Sequence, residues 1–275
     1  MEKTNMMSDV LVKYMNNPLE DYYICYFDIL GYRAYFDNSE SSKHNKFLAS
    51  MIIATNSIES VIRNTKTPIK INCKTYSDNF LLYAPKHSTN ELEMLQLFAN
   101  IMKKVQVRLL MEEGLLVRGG ITIGEFYADD SIVFGEGLIR AVELEEKTAI
   151  MPRIIVDKDR FNIDISALES KQCLIEDTDG QYFVNYFYNG ALQLIRGKSI
   201  RLINQNCKYH PTVKDTSKIT HTERIISKYI WLLTKFNSQC KKLKLHDELI
   251  EYELKINERL SKIEISANPF NSKEF

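Results

Sequence analysis

The chain has 275 residues with 36 Lys+Arg against 36 Asp+Glu, so its formal net charge is zero. That balance excludes the global basic field of a protein that grips nucleic-acid backbones, and 44% apolar with 11% aromatic residues is too much for a disordered chain. An anionic substrate must therefore be held by local devices such as metal ions or helix N-termini.

The opening MEKTNMMSDV lacks the apolar stretch of a signal peptide, and no apolar run approaches the ~18 residues of a membrane span. Five cysteines (Cys25, Cys73, Cys173, Cys207, Cys240) are scattered without a C-x-x-C pair. They predict free thiols in a reducing compartment, and a cytoplasmic protein. In chain order, Tyr22–Phe27 is short, aromatic and β-prone and reads as a buried strand. Gly31 follows, then a helix to about Arg63 with Phe47, Met51, Ile58 and Ile62 at helical spacing. Two strands, Ile69–Tyr76 and Phe80–Ala84, are joined through Ser77-Asp78-Asn79, which is hairpin-tip chemistry. Glu91–Glu113 is helical, with Gly114 as its stop. Leu115–Gly124 is a strand, Glu136–Thr148 a short helix and Pro152–Val156 a strand. A hairpin, Cys173–Ile175 with Tyr182–Phe187, comes next, and a charged helical stretch runs from about Thr222 to Glu264. The order β-α-β-β-α-β predicts an α+β, ferredoxin-like core. We expect a catalytic domain over 20–190 and a C-terminal helical extension over 215–265.

Two acids stand out. Asp28 ends the first strand, where Ile29-Leu30-Gly31 leads towards a helix, and Asp78 sits at the hairpin tip. In a β-α-β-β core the hairpin lies beside the first strand, so the two carboxylates meet at one edge. A lone Asp is usually a cap or turn residue; a pair in this setting calls for a cation, with Mg²⁺ and substrate phosphates the natural answer. Amides from Gly31 to Arg33 at the helix start offer phosphates a second grip. Other chemistries lack their signatures. The five histidines show no H-x-x-x-H spacing, Gly119-Gly120 is followed by no Gly-Lys-Ser/Thr, and no serine has a nucleophile elbow.

These residues resemble the class III nucleotidyl cyclases. Phe27-Asp28-Ile29-Leu30-Gly31-Tyr32 is similar to their F-D-I-x-G-F opening, and Tyr76-Ser77-Asp78-Asn79 to their hairpin I-G-D. Val117-Arg118-Gly119-Gly120-Ile121-Thr122-Ile123-Gly124 is similar to V-R-x-G-I-x-x-G. Gly135 with Ala141-Val142-Glu143-Leu144-Glu145 is similar to the G-x-x-V-N-x-A-x-R-L-E helix. Pro152-Arg153-Ile154 and Lys228-Tyr229-Ile230-Trp231-Leu232 resemble elements of the pyrimidine cyclase branch, the signal synthases of Pycsar anti-phage defence. The resemblance spans about residues 20–160 plus this tail element.

It implies cyclisation of a pyrimidine nucleoside triphosphate, UTP before CTP, on two Mg²⁺ or Mn²⁺ ions held by Asp28, Asp78 and the Ile29 carbonyl. It further implies a homodimer with composite sites, and a separate effector that senses the cyclic nucleotide. By ungapped offset the purine-reading positions of the family fall at Asn72 and Ile132, and its transition-state Asn and Arg at Ile139 and Glu143. Neither purine reader is present, and a glutamate cannot stabilise a negative transition state. A replacement cation must come from Arg118, Arg140 or Arg153, of which Arg118, sharing a strand face with Gly120 and Thr122, is the leading candidate. Tyr32 and Tyr76, beside the two acids, are candidate base-stacking residues, and Arg153 a candidate phosphate contact. A purine cyclase and a non-catalytic nucleotide-binding module of the same fold are the alternatives.

Overall fold

The computed structural model describes residues 19–32, 41–65, 67, 69–87, 90–188, 191–192, 195–196 and 216–245. The chain divides into two units, Met1–Tyr186 and Phe187–Phe275. In the first, β1 (Glu20–Ile29), α1 (Ser41–Asn64), β2 (Asn72–Tyr76), β3 (Asn79–Pro85), α2 (Glu91–Glu112) and β4 (Val117–Ala128) follow in sequence. Their strands pair antiparallel in the order β2-β3-β1-β4. This is the expected β-α-β-β-α-β, ferredoxin-like α+β core. β5 (Val133–Phe134) folds back on β4, and α3 (Glu136–Glu143) with a π-helical turn (Leu144–Thr148) crosses to β6 (Ile154–Val156), which is parallel to β4. After α4 (Ser166–Ser170), the hairpin β7 (Leu174–Glu176) and β8 (Tyr182–Val184) completes the sheet β2-β3-β1-β4-β6-β8-β7.

Strand alternation divides the sheet into two unlike faces. On one, Tyr23, Cys25, Phe27 and Ile29 of β1 meet Phe47, Met51 and Ile58 of α1 and Leu95, Phe98 and Met102 of α2 in the main core. Phe27 stacks on Phe80 with centroids 5.0 Å apart. Each such side chain, once buried, contributes roughly 1.5–3 kcal/mol. α2 is capped by Asn90, which accepts the Leu92 amide at 3.0 Å, and ends as its sequence predicts at Gly114, φ +70. On the second face, α3 lies against β4 where Gly124 faces Gly137, and a Cβ on Gly124 would sit 2.8 Å from the Gly137 Cα. Two Cβ-free residues thus set the approach of helix to strand.

Several boundaries differ from expectation. Asp28 lies within β1, paired on both sides, because the strand runs on to Ile29. Gly31 (φ +88) turns the chain after β1, and α1 is described from Ser41; the expected helix start after Gly31, with Arg33, lies outside the described residues. β4 continues past Gly124 to Ala128 because Asp129 closes a tight turn, its carboxylate taking the Ser131 and Ile132 amides at 2.8 and 2.7 Å.

In the second unit α5 (Thr216–Lys242) buries Trp231, Leu232, Leu233, Phe236 and Cys240, with Phe187 and Trp231 rings 6.2 Å apart. Residues 246–265 of the expected extension, and Cys207, lie outside the described residues. Among the described residues no helix is long and apolar enough to cross a membrane. Cys25, Cys73, Cys173 and Cys240 are free thiols.

Candidate active site

The site follows from strand register. Directly opposed residues share a face, so Tyr76, Asn79, Asp28 and Arg118 form one cross-strand row on the face away from α1 and α2. Lys74, Leu81, Tyr26 and Gly120 form the next row, and Asn72, Tyr83, Ile24 and Thr122 the third. The register therefore puts four predicted residues, Asp28, Arg118, Tyr76 and Asn72, on one face. Asp78 joins them at the hairpin turn, where its carbonyl accepts the Ile29 amide at 3.1 Å and its carboxylate charge acts on Asp28.

Arg118 grips Asp28 with two contacts, Nε to Oδ1 at 3.2 Å and a terminal nitrogen to Oδ2 at 3.3 Å. Its Nε also lies 2.5 Å from Oε1 of Glu145, delivered by the π-helical turn. That oxygen is buried and makes no hydrogen bond of good geometry, so the contact is an ion pair alone. Tyr26 closes the group by donating its hydroxyl to Asn79 Oδ1 at 2.7 Å.

Electrostatics show a shortage of positive charge. Burial pushes the Asp28 carboxyl above its ordinary value, against the pull of Arg118, and the Asp78 charge adds to the rise. Burial drives Glu145 up to about 7, with the Asp28 charge the next cause. The Tyr26 hydroxyl is pushed up to about 12 by burial, then by Glu145, Asp28 and Asp78. Burial works against the charge of Arg118, but Asp28 and Glu145 raise its pKa on balance. One guanidinium serves several carboxylates.

Asp28 and Asp78 are the residues that would hold a divalent ion. Among the described residues no group of three or more His, Cys, Asp or Glu is arranged to hold a metal. Asp28 and Asp78 therefore supply a pair of oxygen donors and no closed cage. Mg²⁺ and Mn²⁺ suit such a pair, because they keep coordination positions for water and phosphate, whereas structural zinc wants four ligands.

The three candidate arginines separate cleanly. Arg140 is bound to Asp157 at 2.7 and 2.8 Å, and Asp157 also accepts the Thr122 hydroxyl at 2.8 Å. Arg153 is buried, ion-paired to Asp177 and Asp179, and reaches the Thr148 carbonyl at 3.3 Å. The guanidinium expected to contact phosphate is thus engaged by two carboxylates and a carbonyl, with its Nε buried and without a hydrogen-bond partner. Only Arg118 of the three stands with the acids. Glu143, at the transition-state position, pairs with Lys147 at 2.9 Å on an exposed face.

Tyr32 does not stand with Tyr76. Its ring packs on Phe47 with centroids 4.9 Å apart and its hydroxyl accepts from Ser77 at 2.8 Å. It helps line a cleft of about 600 Å³ with Met51, Thr55 and Thr75. Thr75 alternates to the face opposite Asp28, and Ser77, beside Asp78, also lines this cleft. Ile29 is buried at the end of β1, and Gly31 turns the chain away from it. Tyr76 is exposed, as a stacking surface must be.

Glu145, Tyr26 and Asn79 belong to the cluster and were not singled out as site residues in the sequence. The signal for Glu145 was present: it follows Ala141 by four and Gly137 by eight, both buried positions of α3, so helical spacing places a carboxylate on the stripe that meets the sheet.

No protein-family model matches the chain, and no curated protein matches it. Among solved structures it is similar to the catalytic core of a rhodopsin-guanylyl cyclase with converted specificity in complex with ATPalphaS. Identity there is 13% over 62% of this chain and 97% of that one, with a TM-score of 0.44. It is also similar to a class III adenylyl cyclase-like ATP-binding protein from Pseudomonas aeruginosa, at 11% identity over 64% of this chain and TM-score 0.44. The chain spans 40% of the length of that second protein. No residue role is carried over from either.

Proposed function

We propose that the chain is a nucleotidyl cyclase that converts a pyrimidine nucleoside triphosphate, UTP before CTP, to the 3′,5′-cyclic nucleotide and pyrophosphate. The observation that carries this reading is the meeting of Asp28, Asp78 and Arg118 on one sheet face. The ribose 3′-oxygen would attack the α-phosphorus, the bond to pyrophosphate would break, and the hydroxyl proton would leave to solvent. Two Mg²⁺ or Mn²⁺ ions held by Asp28, Asp78 and the Ile29 carbonyl would acidify that hydroxyl and offset the charge of the leaving group. Arg118 would supply fixed positive charge to the phosphates. The exposed ring of Tyr76 offers a stacking surface. Asn72 offers an amide that both donates and accepts, suited to the N3–H and O4 edge of uracil.

The chain would act in the cytoplasm as a homodimer with composite sites, as the signal synthase of an anti-phage system with a separately encoded effector. That part rests on the resemblance of the motifs alone. The test is incubation with each of the four ribonucleoside triphosphates and Mn²⁺ or Mg²⁺, with products identified by mass. Cyclic UMP is expected, and Asp28→Asn and Asp78→Asn should each abolish it. A cyclic purine product would move the reading to a purine cyclase. No product from any triphosphate would leave a nucleotide-binding module. Full activity in both Asn variants would sink the two-metal scheme.

A further inference from the structure

We infer that Glu145 is a positioning residue that retains Arg118 beside the metal acids when cations take Asp28, a role that rests on the cyclase reading of this site. Arg118 stands between two carboxylates, and the contacts are unequal. Its Nε is closest to Glu145, at 2.5 Å in an ion pair without a hydrogen bond, while Asp28 takes two longer hydrogen bonds at 3.2 and 3.3 Å. Glu145 is 3% exposed, so water cannot stand in for the guanidinium, and a buried carboxylate stripped of its cation is strongly unfavourable. Asp28 is the more exposed of the two and has other oxygen-seeking partners to hand in any divalent ion. A cation arriving at Asp28 must displace the guanidinium, and Glu145 gives it a place to go without leaving the site.

The backbone carries a second, independent sign of this role. α3 is regular to Glu143, then widens to π geometry over Leu144–Thr148, with the Ala149 amide reaching the Leu144 carbonyl at 2.8 Å. A π turn is rare, and is retained most often where a side chain must be re-aimed for function. Here it turns two consecutive side chains inward. Leu144 packs over Gly120, where an added Cβ would lie 2.5 Å from the Leu144 Cβ, and Glu145 meets Arg118. Without the wide turn, one of the two would face outward.

The consequence is specific. If Glu145 loses its charge, Arg118 keeps Asp28 as its carboxylate partner, and the guanidinium then competes with metal. The test is Mn²⁺ binding to the full chain without nucleotide, read by the electron paramagnetic resonance of free Mn²⁺, with folding checked by thermal melts. Glu145→Gln should weaken Mn²⁺ binding about tenfold, in the range known for residues that orient metal ligands. The double variant Arg118→Gln/Glu145→Gln should recover binding to within about threefold of the parent, because the competing cation is gone. Glu146→Gln removes the same charge one residue on, from an exposed position, and should leave binding near the parent value. Unchanged binding in Glu145→Gln overturns the inference, as does a double variant as weak as the single one or an equal loss in Glu146→Gln. Asp28→Asn separates the two levels: parental Mn²⁺ binding there overturns the metal reading itself, whatever Glu145 does.

Discussion

Arg118 and Arg140 show how a side chain's work is set by what faces it. Both stand over the same sheet face, yet Arg118 meets carboxylates short of positive charge and Arg140 meets one carboxylate that is fully served. Asp157 takes three hydrogen bonds from Arg140 and Thr122, which pull its pKa below the ordinary carboxylate value although burial works the other way. A carboxyl depressed in the folded state contributes stability above its unfolded pKa, near 3.8, and loses it as pH falls through the lower folded value. Asp157→Asn should therefore cost about 2 kcal/mol at neutral pH, discounted from the fully buried case because Arg140 is one-third exposed. The deficit should shrink towards pH 3. Thermal melts from pH 7 to pH 3 check this, and a constant difference across the range would assign the loss to packing.

At the scale of elements, the contact of α3 with β4 decides where Glu145 stands. Gly124 and Gly137 let helix and strand backbones approach, and a Cβ on Gly137 would also meet the Ile24 side chain at 2.5 Å. The obstacle to a Cβ on Gly124 is backbone, which cannot swing aside as a flexible side chain does. Gly124→Ala should thus lift α3 from the sheet, cost roughly 1–3 kcal/mol, and weaken Mn²⁺ binding in parallel by drawing Glu145 from Arg118. Gly180, with open space around its Cα but φ +76, provides the contrast. Gly180→Ala should cost about 1 kcal/mol from backbone strain alone and leave Mn²⁺ binding intact. Calorimetry and Mn²⁺ titration of both variants test the pair. The β4 extension belongs at this scale too. It was not legible in the alternation of Leu115–Gly124, because the turn at Asp129 that sustains it forms only once β5 folds back.

For the whole molecule, zero net charge means that the proposed polyanionic substrate would be attracted locally, by Arg118 and by cations held at Asp28 and Asp78. It also leaves two copies free of long-range repulsion. Ile132, Phe134 and Ile139 are each more than half exposed, within eight residues along β5 and α3, an unusual concentration of large apolar side chains on a surface. If the proposed homodimer uses this surface, Phe134→Glu/Ile139→Glu should sediment as a monomer at a concentration where the parent is a dimer. Cyclic nucleotide production should fall with it. A parent that sediments as a monomer at every concentration would remove the composite-site proposal and leave the metal acids untouched.

What the sequence determined by itself is what contiguous residues encode: the period of each strand and helix, the stop at Gly114 and the turn carrying Asp78. These depend on neighbours a few positions away, so the β-α-β-β-α-β order and the two acids were legible before any coordinates. The tertiary structure decided which cation stands with those acids. Asp28 and Arg118 are 90 positions apart, and their meeting depends on the register of β1 against β4. Arg153 is paired with Asp177, 24 positions on, in a separate hairpin. Glu145 lies on the helical stripe of Gly137 and Ala141, but its contact with Arg118 is made across elements, by the π turn against β4. Periodicity places a residue on a face, but the partner of a charge is set by whichever distant element packs there.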